Sequence, residues 1–265
     1  MRSIVLTLLL LLASASALAF DKDALDGLEA VKRGDYETAV SLFRKSAERG
    51  DIDGEYNLGV MYYEGKGIPR DYQRAFCWFT KAAEQGGHLA QHNLGLMYRN
   101  GEGVSQDYEK AVFWFTNSAR KGNPNAQVNL GVMYIYGRGV PRDHEQAMYW
   151  FSRAAEQGEA MAQYNIGYMH LSGLGVPQDY QQAAYWYTKA AELGHTDAQV
   201  DLGVLYANGW GVSRDYVQAY LWWSLAADQG NHTAGDNLLR VEKQMTREQT
   251  VEAQRLVGAW MLKQQ

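Results

Sequence analysis

The sequence predicts an all-α solenoid built from two-helix repeats, and three observations support this. A tryptophan returns every 36 residues, at Trp78, Trp114, Trp150, Trp186 and Trp222. Glycines return with the same period, at Gly59, Gly95, Gly131, Gly167 and Gly203, and Gly-x-Gly pairs begin at Gly65, Gly101, Gly137, Gly173 and Gly209. Between these markers, apolar residues fall at helical spacing. Self-similarity at a fixed period of this length is typical of repeat architectures.

Residues 1–19 have the pattern of a secretory signal peptide. Arg2 precedes the apolar run Ile4–Leu12, and Ala17-Leu18-Ala19 is a small-residue cleavage site. We therefore expect a bacterial protein that is periplasmic or secreted. The alternative is an uncleaved N-terminal anchor, although the apolar run is short for a membrane span.

Each repeat predicts two helices, as residues 123–158 illustrate. Asn123 is a suitable N-cap, and Pro124 occupies the first helical position, where proline is favoured. Gly137 can end this helix in the left-handed conformation. Asp143 is then a plausible N-cap for the second helix, which Gly158 ends.

A glycine lies in the middle of every first helix, where it costs about 1 kcal/mol relative to alanine. Its recurrence predicts that a neighbouring helix approaches closely at this point. We expect the repeat tryptophan of the second helix to fill the adjoining space.

These residues resemble a known family. Leu94-Gly95-x-x-Tyr98, Gly101-x-Gly103-Val104, Asp107-Tyr108 and Trp114 are similar to the Sel-one-like repeat, a relative of the tetratricopeptide repeat. The resemblance implies a right-handed superhelical α/α solenoid. It covers five 36-residue repeats, at 51–86, 87–122, 123–158, 159–194 and 195–230.

Both flanks of the repeats depart from this pattern. Residues 20–50 lack the Gly-x-Gly loop, and Gly34-Asp35-Tyr36 resembles a shorter tetratricopeptide-like hairpin. Residues 231–265 predict C-terminal capping helices, with a capping box at Thr246–Gln249 that begins a helix through about Leu262. Such ends would close an otherwise exposed stack.

Charge excludes two classes of partner. The net charge is −5 with the two signs interspersed, so we expect no nucleic-acid partner. No polybasic patch is present, and after signal cleavage we expect no stable membrane insertion.

Candidate catalytic and metal-ligating residues are few. His88 and His92 have metal-ligand spacing, but Leu89 stands where a zincin-type hydrolase needs glutamate, so we expect a surface pair without a metal. The only cysteine, Cys77, precedes a repeat tryptophan in what we take to be a buried apolar slot. We expect no enzyme activity, no metal and no cofactor.

Partner binding is predicted at positions that vary between repeats. In the related tetratricopeptide fold, first helices line a concave groove, and carrying that register over gives ten groove residues. They are Tyr56, Tyr63, His92, Arg99, Asn100, Ile135, Tyr136, Tyr164, Tyr168 and Leu171. The alternative is that some of them merely pack between adjacent first helices.

The resemblance implies a non-enzymatic adaptor that binds a protein or peptide in its concave groove. Exported bacterial members often act in envelope regulation or host interaction, which includes virulence. An alternative is a cell-wall-glycan-binding or weak β-lactamase-like envelope protein, although the Ser-x-x-Lys and Lys-Thr-Gly signatures are missing. A purely structural role through the outer helices is a third possibility.

Overall fold

The computed structural model of the protein describes residues 21–263, and every regular element in this range is a helix. The all-α class predicted from the sequence is therefore confirmed. The predicted signal peptide, at 1–19, lies outside the described residues. The chain divides into two compact units, one up to Ala126 and one from Gln127 onward.

The first unit consists of consecutive antiparallel helix pairs. Its helices are α1 (Lys22–Lys32), α2 (Tyr36–Glu48), α3 (Ile52–Glu64), α4 (Tyr72–Glu84), α5 (His88–Asn100) and α6 (Tyr108–Arg120). Each helix packs against the next one along the chain. Phe43, Leu58, Phe79 and Leu94 are fully buried in the resulting core, as expected where stacked hairpins share one apolar interior.

The second unit continues the same pattern and adds a long last helix. Its helices are α7 (Pro124–Tyr136), α8 (His144–Ala155), α9 (Ala160–Ser172), α10 (Tyr180–Glu192), α11 (Thr196–Asn208), α12 (Tyr216–Asp228), α13 (His232–Val241) and α14 (Arg247–Lys263), with a short 3-10 helix at Glu242–Gln244. Helix α14 packs on α12. There the Trp260 ring meets the Trp222 ring edge-on, with centroids 5.1 Å apart.

Most of the helices begin at side-chain caps, whereas α5 and α9 have no side-chain cap hydrogen bond. Asn123 accepts a hydrogen bond from the amide of Ala126 at 3.0 Å, and Asp143 accepts one from Gln146 at 2.9 Å. At the start of α14, the Gln249 side chain accepts from the Thr246 amide at 2.9 Å, and the Thr246 hydroxyl accepts from the Gln249 amide at 3.2 Å. The two predicted N-caps and the capping box are therefore confirmed.

The mid-helix glycines do permit a close helix approach, but the side chain that uses the space is not the predicted one. A Cβ added at Gly59, Gly95 or Gly167 would collide with a ring on the second helix of the same repeat. The rings belong to Phe79, Phe115 and Tyr187, each one residue after the repeat tryptophan. Because one residue turns a helix by about 100°, the tryptophan itself points elsewhere, and the expectation that it fills this space was wrong.

The two glycines of the Gly-x-Gly pair have different structural roles. Gly101 ends α5 in the left-handed conformation, with φ of 74°, and its amide bonds to the carbonyl of Met97. Gly103 also has a positive φ, of 69°, and a Cβ there would collide with the backbone of Tyr72 in the preceding repeat. The second glycine therefore allows consecutive repeats to approach each other.

Cys77 is exposed, so the prediction of a buried thiol was wrong. Its equivalents in the next three repeats are also exposed, namely Phe113 at 57%, Tyr149 at 48% and Tyr185 at 52%. Only Leu221 in the last repeat is buried, where α14 contributes to the same cluster. The register therefore lies on the outer side of the second helices.

Candidate functional site

The predicted groove tyrosines of the first unit are held by neighbouring rings. Tyr56 packs against Phe79, with ring centroids 5.8 Å apart, and Tyr63 packs against Tyr72 at 5.1 Å. The Tyr63 hydroxyl donates a hydrogen bond to Glu102 at 2.7 Å, which links two successive repeats. Burial raises the pKa of Tyr56 to about 12 and also raises the pKa of Tyr63.

His92 is half-buried, so the expectation of a surface histidine pair was wrong. Its ring lies 5.9 Å from that of Phe115, and burial lowers its pKa to about 4. The side chain is therefore neutral at physiological pH. Within residues 21–263, no group of three or more His, Cys, Asp or Glu side chains is placed to hold a metal ion.

The other two predicted residues of the first unit lie at the end of α5. Arg99 is half-buried, and its Nε donates a hydrogen bond to the side-chain oxygen of the exposed Asn100 at 3.1 Å. The carbonyl of Arg99 also accepts a bond from Gln106 at 2.8 Å. This end of the helix therefore presents a positively charged group beside an exposed amide.

The second unit carries the more exposed predicted residues. Tyr136 on α7 is 65% exposed, and Tyr168 on α9 is 43% exposed. By contrast, Ile135 and Leu171 are half-buried and pack against the core clusters of this unit. Two of these four predicted residues therefore present large aromatic surface to solvent.

Tyr164 is the centre of an aromatic stack in the second unit. Its ring stacks on that of Tyr187, with centroids 5.5 Å apart, and on that of His195, at 4.7 Å. His195 is fixed as the N-cap of α11, because its Nδ1 accepts a hydrogen bond from the amide of Ala198 at 3.2 Å. The three rings therefore come from α9, from α10 and from the N-cap of α11.

A carboxylate adjoins this stack. Burial raises the pKa of Asp201 to about 6, the Tyr164 hydroxyl beside it opposes this effect by hydrogen bonding, and Asp197 adds to it. The Tyr187 side chain is fully buried, and its hydroxyl has no hydrogen-bond partner. Burial and the nearby Asp201 raise the pKa of Tyr187. The combined group of Tyr164, Tyr168, Tyr187, His195 and Asp201 is called the tyrosine–aspartate cluster below.

Sequence reasoning placed Tyr164 and Tyr168 among the groove residues but missed Tyr187, His195 and Asp201. Comparison of the repeats with one another could have found two of these. Tyr187 stands where the three preceding repeats have Phe79, Phe115 and Phe151, and Asp201 stands where the four preceding repeats have Asn57, Asn93, Asn129 and Asn165. Departures from an internal repeat are thus informative even at buried positions.

No helix within residues 21–263 is both long enough and apolar enough to cross a membrane.

Successive helix pairs with recurrent caps, glycines and buried rings define this protein as an α/α repeat protein. The sequence model of the Sel1 repeat matches residues 14–51, 52–87, 88–123, 124–159, 160–195 and 196–231. The chain therefore belongs to the Sel1 repeat family. The first match includes the hairpin at 20–50, which the sequence analysis set apart because it lacks the Gly-x-Gly loop.

Two solved structures are similar over most of the chain. One is c5321, a protective antigen present in uropathogenic Escherichia coli strains, with 36% identity, a TM-score of 0.78, and coverage of 89% of this chain and 53% of that one. The other is a Sel1 repeat protein from Oxalobacter formigenes, with 33% identity, a TM-score of 0.77, and coverage of 82% and 86%. This likeness confirms the predicted α/α solenoid class.

More distant similarities are limited in scope. The immunity protein PA5088 from Pseudomonas aeruginosa is 22% identical with a TM-score of 0.56, over 80% of this chain and 83% of that one, which shows a shared fold alone. The DAP3-binding cell death enhancer 1 of Rattus norvegicus is 47% identical over 45 residues, 17% of this chain. The chain spans only 9% of that relative's length, and about half of the Escherichia coli antigen.

Sel1 repeat proteins generally mediate protein–protein interactions, and their solenoid is typically a non-catalytic scaffold.

Proposed function

We propose that this protein is a non-enzymatic scaffold that binds a partner protein or peptide through the exposed side chains of its first helices. One observation carries the proposal. The buried positions of the repeat hardly change, whereas the first-helix positions vary in type and, at Tyr136 and Tyr168, expose large aromatic side chains. Exposed tyrosines are among the residues that contribute most to protein interfaces.

The register of these tyrosines supports a binding role over a packing role. The position of Tyr168 is aliphatic in every other repeat, where it is Val60, Leu96, Val132 or Val204. Val60 and Leu96 are buried there. A tyrosine at this position extends its hydroxyl end to solvent while its ring remains on the helix surface, which suits contact with a protein surface.

We also propose that the protein acts outside the cytoplasm, in envelope regulation or in contact with a host. Two observations support this compartment. The sequence pattern of residues 1–19 predicts a signal peptide. The similar Escherichia coli protein is a protective antigen, and recognition by antibodies is consistent with export of that relative.

The experiment uses two pairs of tyrosines that differ in location and resemble each other in exposure. Proximity labelling in the native envelope, followed by mass spectrometry, first identifies candidate partners. The purified full chain is then compared with the double variant Tyr136→Ala/Tyr168→Ala for capture of each partner. The control is Tyr149→Ala/Tyr185→Ala, which removes tyrosines of 48% and 52% exposure from the second helices.

We expect the first-helix double variant to lose at least tenfold in affinity, because two exposed aromatic side chains together contribute about 2 kcal/mol or more at an interface. The control should bind as the unmodified chain does. Loss of binding only in the control would move the interaction to the outer helices and contradict the proposal. Thermal stabilisation by cell-wall glycan fragments, with no protein captured, would favour the glycan-binding alternative.

A further inference from the structure

The tyrosine–aspartate cluster combines two features that a protein interior normally avoids. One is a buried hydroxyl without a partner, on Tyr187, and the other is a largely buried carboxyl group, on Asp201. Each costs free energy, because the buried polar atom has lost its bonds to water. Structural packing alone does not explain why both occur at one place.

The first unit contains the same constellation without either feature. Tyr56, Phe79 and Asn93 occupy the registers of Tyr164, Tyr187 and Asp201, 108 residues earlier in the chain. Tyr56 packs on Phe79 as Tyr164 packs on Tyr187, and Asn93 lies beside Tyr56 as Asp201 lies beside Tyr164, although the Asn93 Nδ2 atom is itself buried without a hydrogen-bond partner. The same packing therefore forms without a buried carboxyl group or a buried tyrosine hydroxyl.

In two other repeats the asparagine at this register also makes a bond that an ionised aspartate cannot make. The Asn57 and Asn165 side chains donate to the backbone carbonyls of Asp53 and Met161, four residues earlier, at 2.8 and 2.7 Å. A carboxylate has no proton to donate in that position. Aspartate in place of asparagine at position 201 thus lacks this local hydrogen bond and introduces a negative charge. Neither change stabilises the fold, which points to a role in binding.

We propose that the tyrosine–aspartate cluster is a recognition site for the cationic end of a lysine or arginine side chain of the bound partner. The Asp201 carboxylate supplies the opposite charge and two acceptor oxygens, and the hydroxyl oxygen of the partly exposed Tyr164 supplies a third. An ammonium group has three protons to donate and requires three such acceptors. The inference rests on the proposed function, because it specifies what the first-helix face of the second unit recognises.

The cluster is open to a ligand on one side. Asp201, Tyr164 and His195 are each partly exposed, and the neighbouring Tyr168 is 43% exposed. The Tyr164 ring already stacks on the rings of Tyr187 and His195, so we expect the exposed Tyr168 ring to be the one that lies beside an arriving cation. The groups with charge or titratable protons around Asp201 are Tyr164 and Tyr168 from α9, Tyr187 from α10, and His195 and Asp197 at the start of α11.

The test titrates the full chain, labelled with 13C in its tyrosine rings, with three small probes. Nα-acetyl-lysine methylamide and Nα-acetyl-arginine methylamide carry the proposed cation, and Nα-acetyl-norleucine methylamide is a neutral chain of similar length. We expect saturable shifts of the Tyr164, Tyr168 and Tyr187 signals with one or both cations and none with the neutral probe. The two cationic probes also distinguish a lysine site from an arginine site.

Two variants restore residues that the repeat already uses, so both should fold. Asp201→Asn should abolish the saturable shifts, and Tyr187→Phe, which removes a buried hydroxyl that a probe cannot contact, should change cation binding less than threefold. The charge control is Asp228→Asn, which removes a carboxylate at the exposed end of α12 and should leave the titration unchanged. Equal shifts with norleucine, persistence of the shifts in Asp201→Asn, or no saturable shift with either cation would each overturn the proposal.

The last of these outcomes would mean that Tyr187 and Asp201 satisfy each other, directly or through a buried water molecule. The result is separable from failure of the proposed function. If the Tyr136→Ala/Tyr168→Ala variant loses the partner while the cationic probes do not bind, the scaffold role stands and the cation site falls. If the probes bind at Asp201 while that variant retains the partner, the cation site stands without the proposed interface.

Discussion

The ring of Tyr187 lies against the helix carrying Gly167 and stacks on Tyr164, yet its hydroxyl is buried without a hydrogen-bond partner. Phenylalanine fills the same position in the three preceding repeats. The hydroxyl is therefore not needed for packing, and it adds a desolvation cost to a site that is otherwise apolar.

We expect Tyr187→Phe to stabilise the protein by about 1 kcal/mol, because the change removes an unsatisfied buried hydroxyl and keeps the ring. Urea unfolding, followed by circular dichroism, measures the difference. Tyr185→Phe on the same helix is the control, since Tyr185 is 52% exposed and its hydroxyl is free to bond to water. Destabilisation by Tyr187→Phe would show that the hydroxyl has a partner in solution.

Gly167 is the second test of this contact. A Cβ at Gly167 would lie 2.6 Å from a ring carbon of Tyr187, closer than real contacts allow. We expect Gly167→Ala to destabilise the protein by about 2 kcal/mol, because the strain of overpacking exceeds the gain in helix propensity. The measurement is again the free energy of unfolding in urea.

The matched control for that substitution is Gly235→Ala. Gly235 also lies inside a helix, α13, but no atom lies within 4 Å of an added Cβ. Here only the propensity gain remains, and we expect stabilisation of up to about 1 kcal/mol. Equal effects at the two glycines would contradict the steric explanation for the contact between Gly167 and Tyr187, which recurs in other repeats.

The sequence predicted the repeat and its helix boundaries well because caps and glycines act locally. Asn123, Asp143 and Thr246 each bond to amides within three residues, so their roles follow from the sequence around them. Side-chain direction was harder to predict. Phe79 and Trp78 are neighbours of similar hydrophobicity, and only the helix crossing decides which of them faces Gly59.

The sequence predicted only part of the candidate site, again because the packing of helices decides which side chains meet. Tyr164 and Tyr168 follow from the register of the first helix, but Tyr187 and His195 come from the second helix and from the following N-cap. Their contact with Tyr164 depends on how three helices pack. The burial of this register likewise depends on tertiary packing, because Leu221 is buried where α14 adds to its cluster, whereas the equivalent Cys77 is exposed.

A glutamine pair that recurs in the repeat suggests a stabilising substitution. Gln157 donates to Gln127 at 2.9 Å, and Gln229 donates to Gln199 at the same distance. The equivalent of Gln157 in the fourth repeat is Leu193, which is 57% exposed, and the side-chain oxygen of its would-be partner Gln163 is buried without a hydrogen bond.

We expect Leu193→Gln to stabilise the protein by about 1 kcal/mol, because the new amide can donate to that oxygen. The thermal midpoint and the urea midpoint should both rise. Leu193→Met is the control, since it changes the exposed side chain without adding a donor. A Leu193→Gln protein no more stable than the methionine variant would show that water already satisfies Gln163.

Asp201 should give the protein a distinctive dependence of stability on pH. Its pKa is raised to about 6 in the folded state, mainly by burial, whereas the pKa of an unfolded aspartate is about 3.9. The folded state therefore binds more protons than the unfolded state between these values, and the contribution of Asp201 to stability falls as pH rises from about 4 to about 6. His92 has the opposite effect over much of this range, because its lowered pKa of about 4 favours the fold at higher pH.

The contribution of Asp201 is isolated by comparing the stability of the unmodified chain with that of a variant at this position. We expect Asp201→Asn to be more stable than the unmodified chain by about 3 kcal/mol at pH 8, with the difference shrinking towards zero near pH 4. Urea unfolding at several pH values measures it, and a difference that stays constant with pH would show that Asp201 titrates normally in the folded protein.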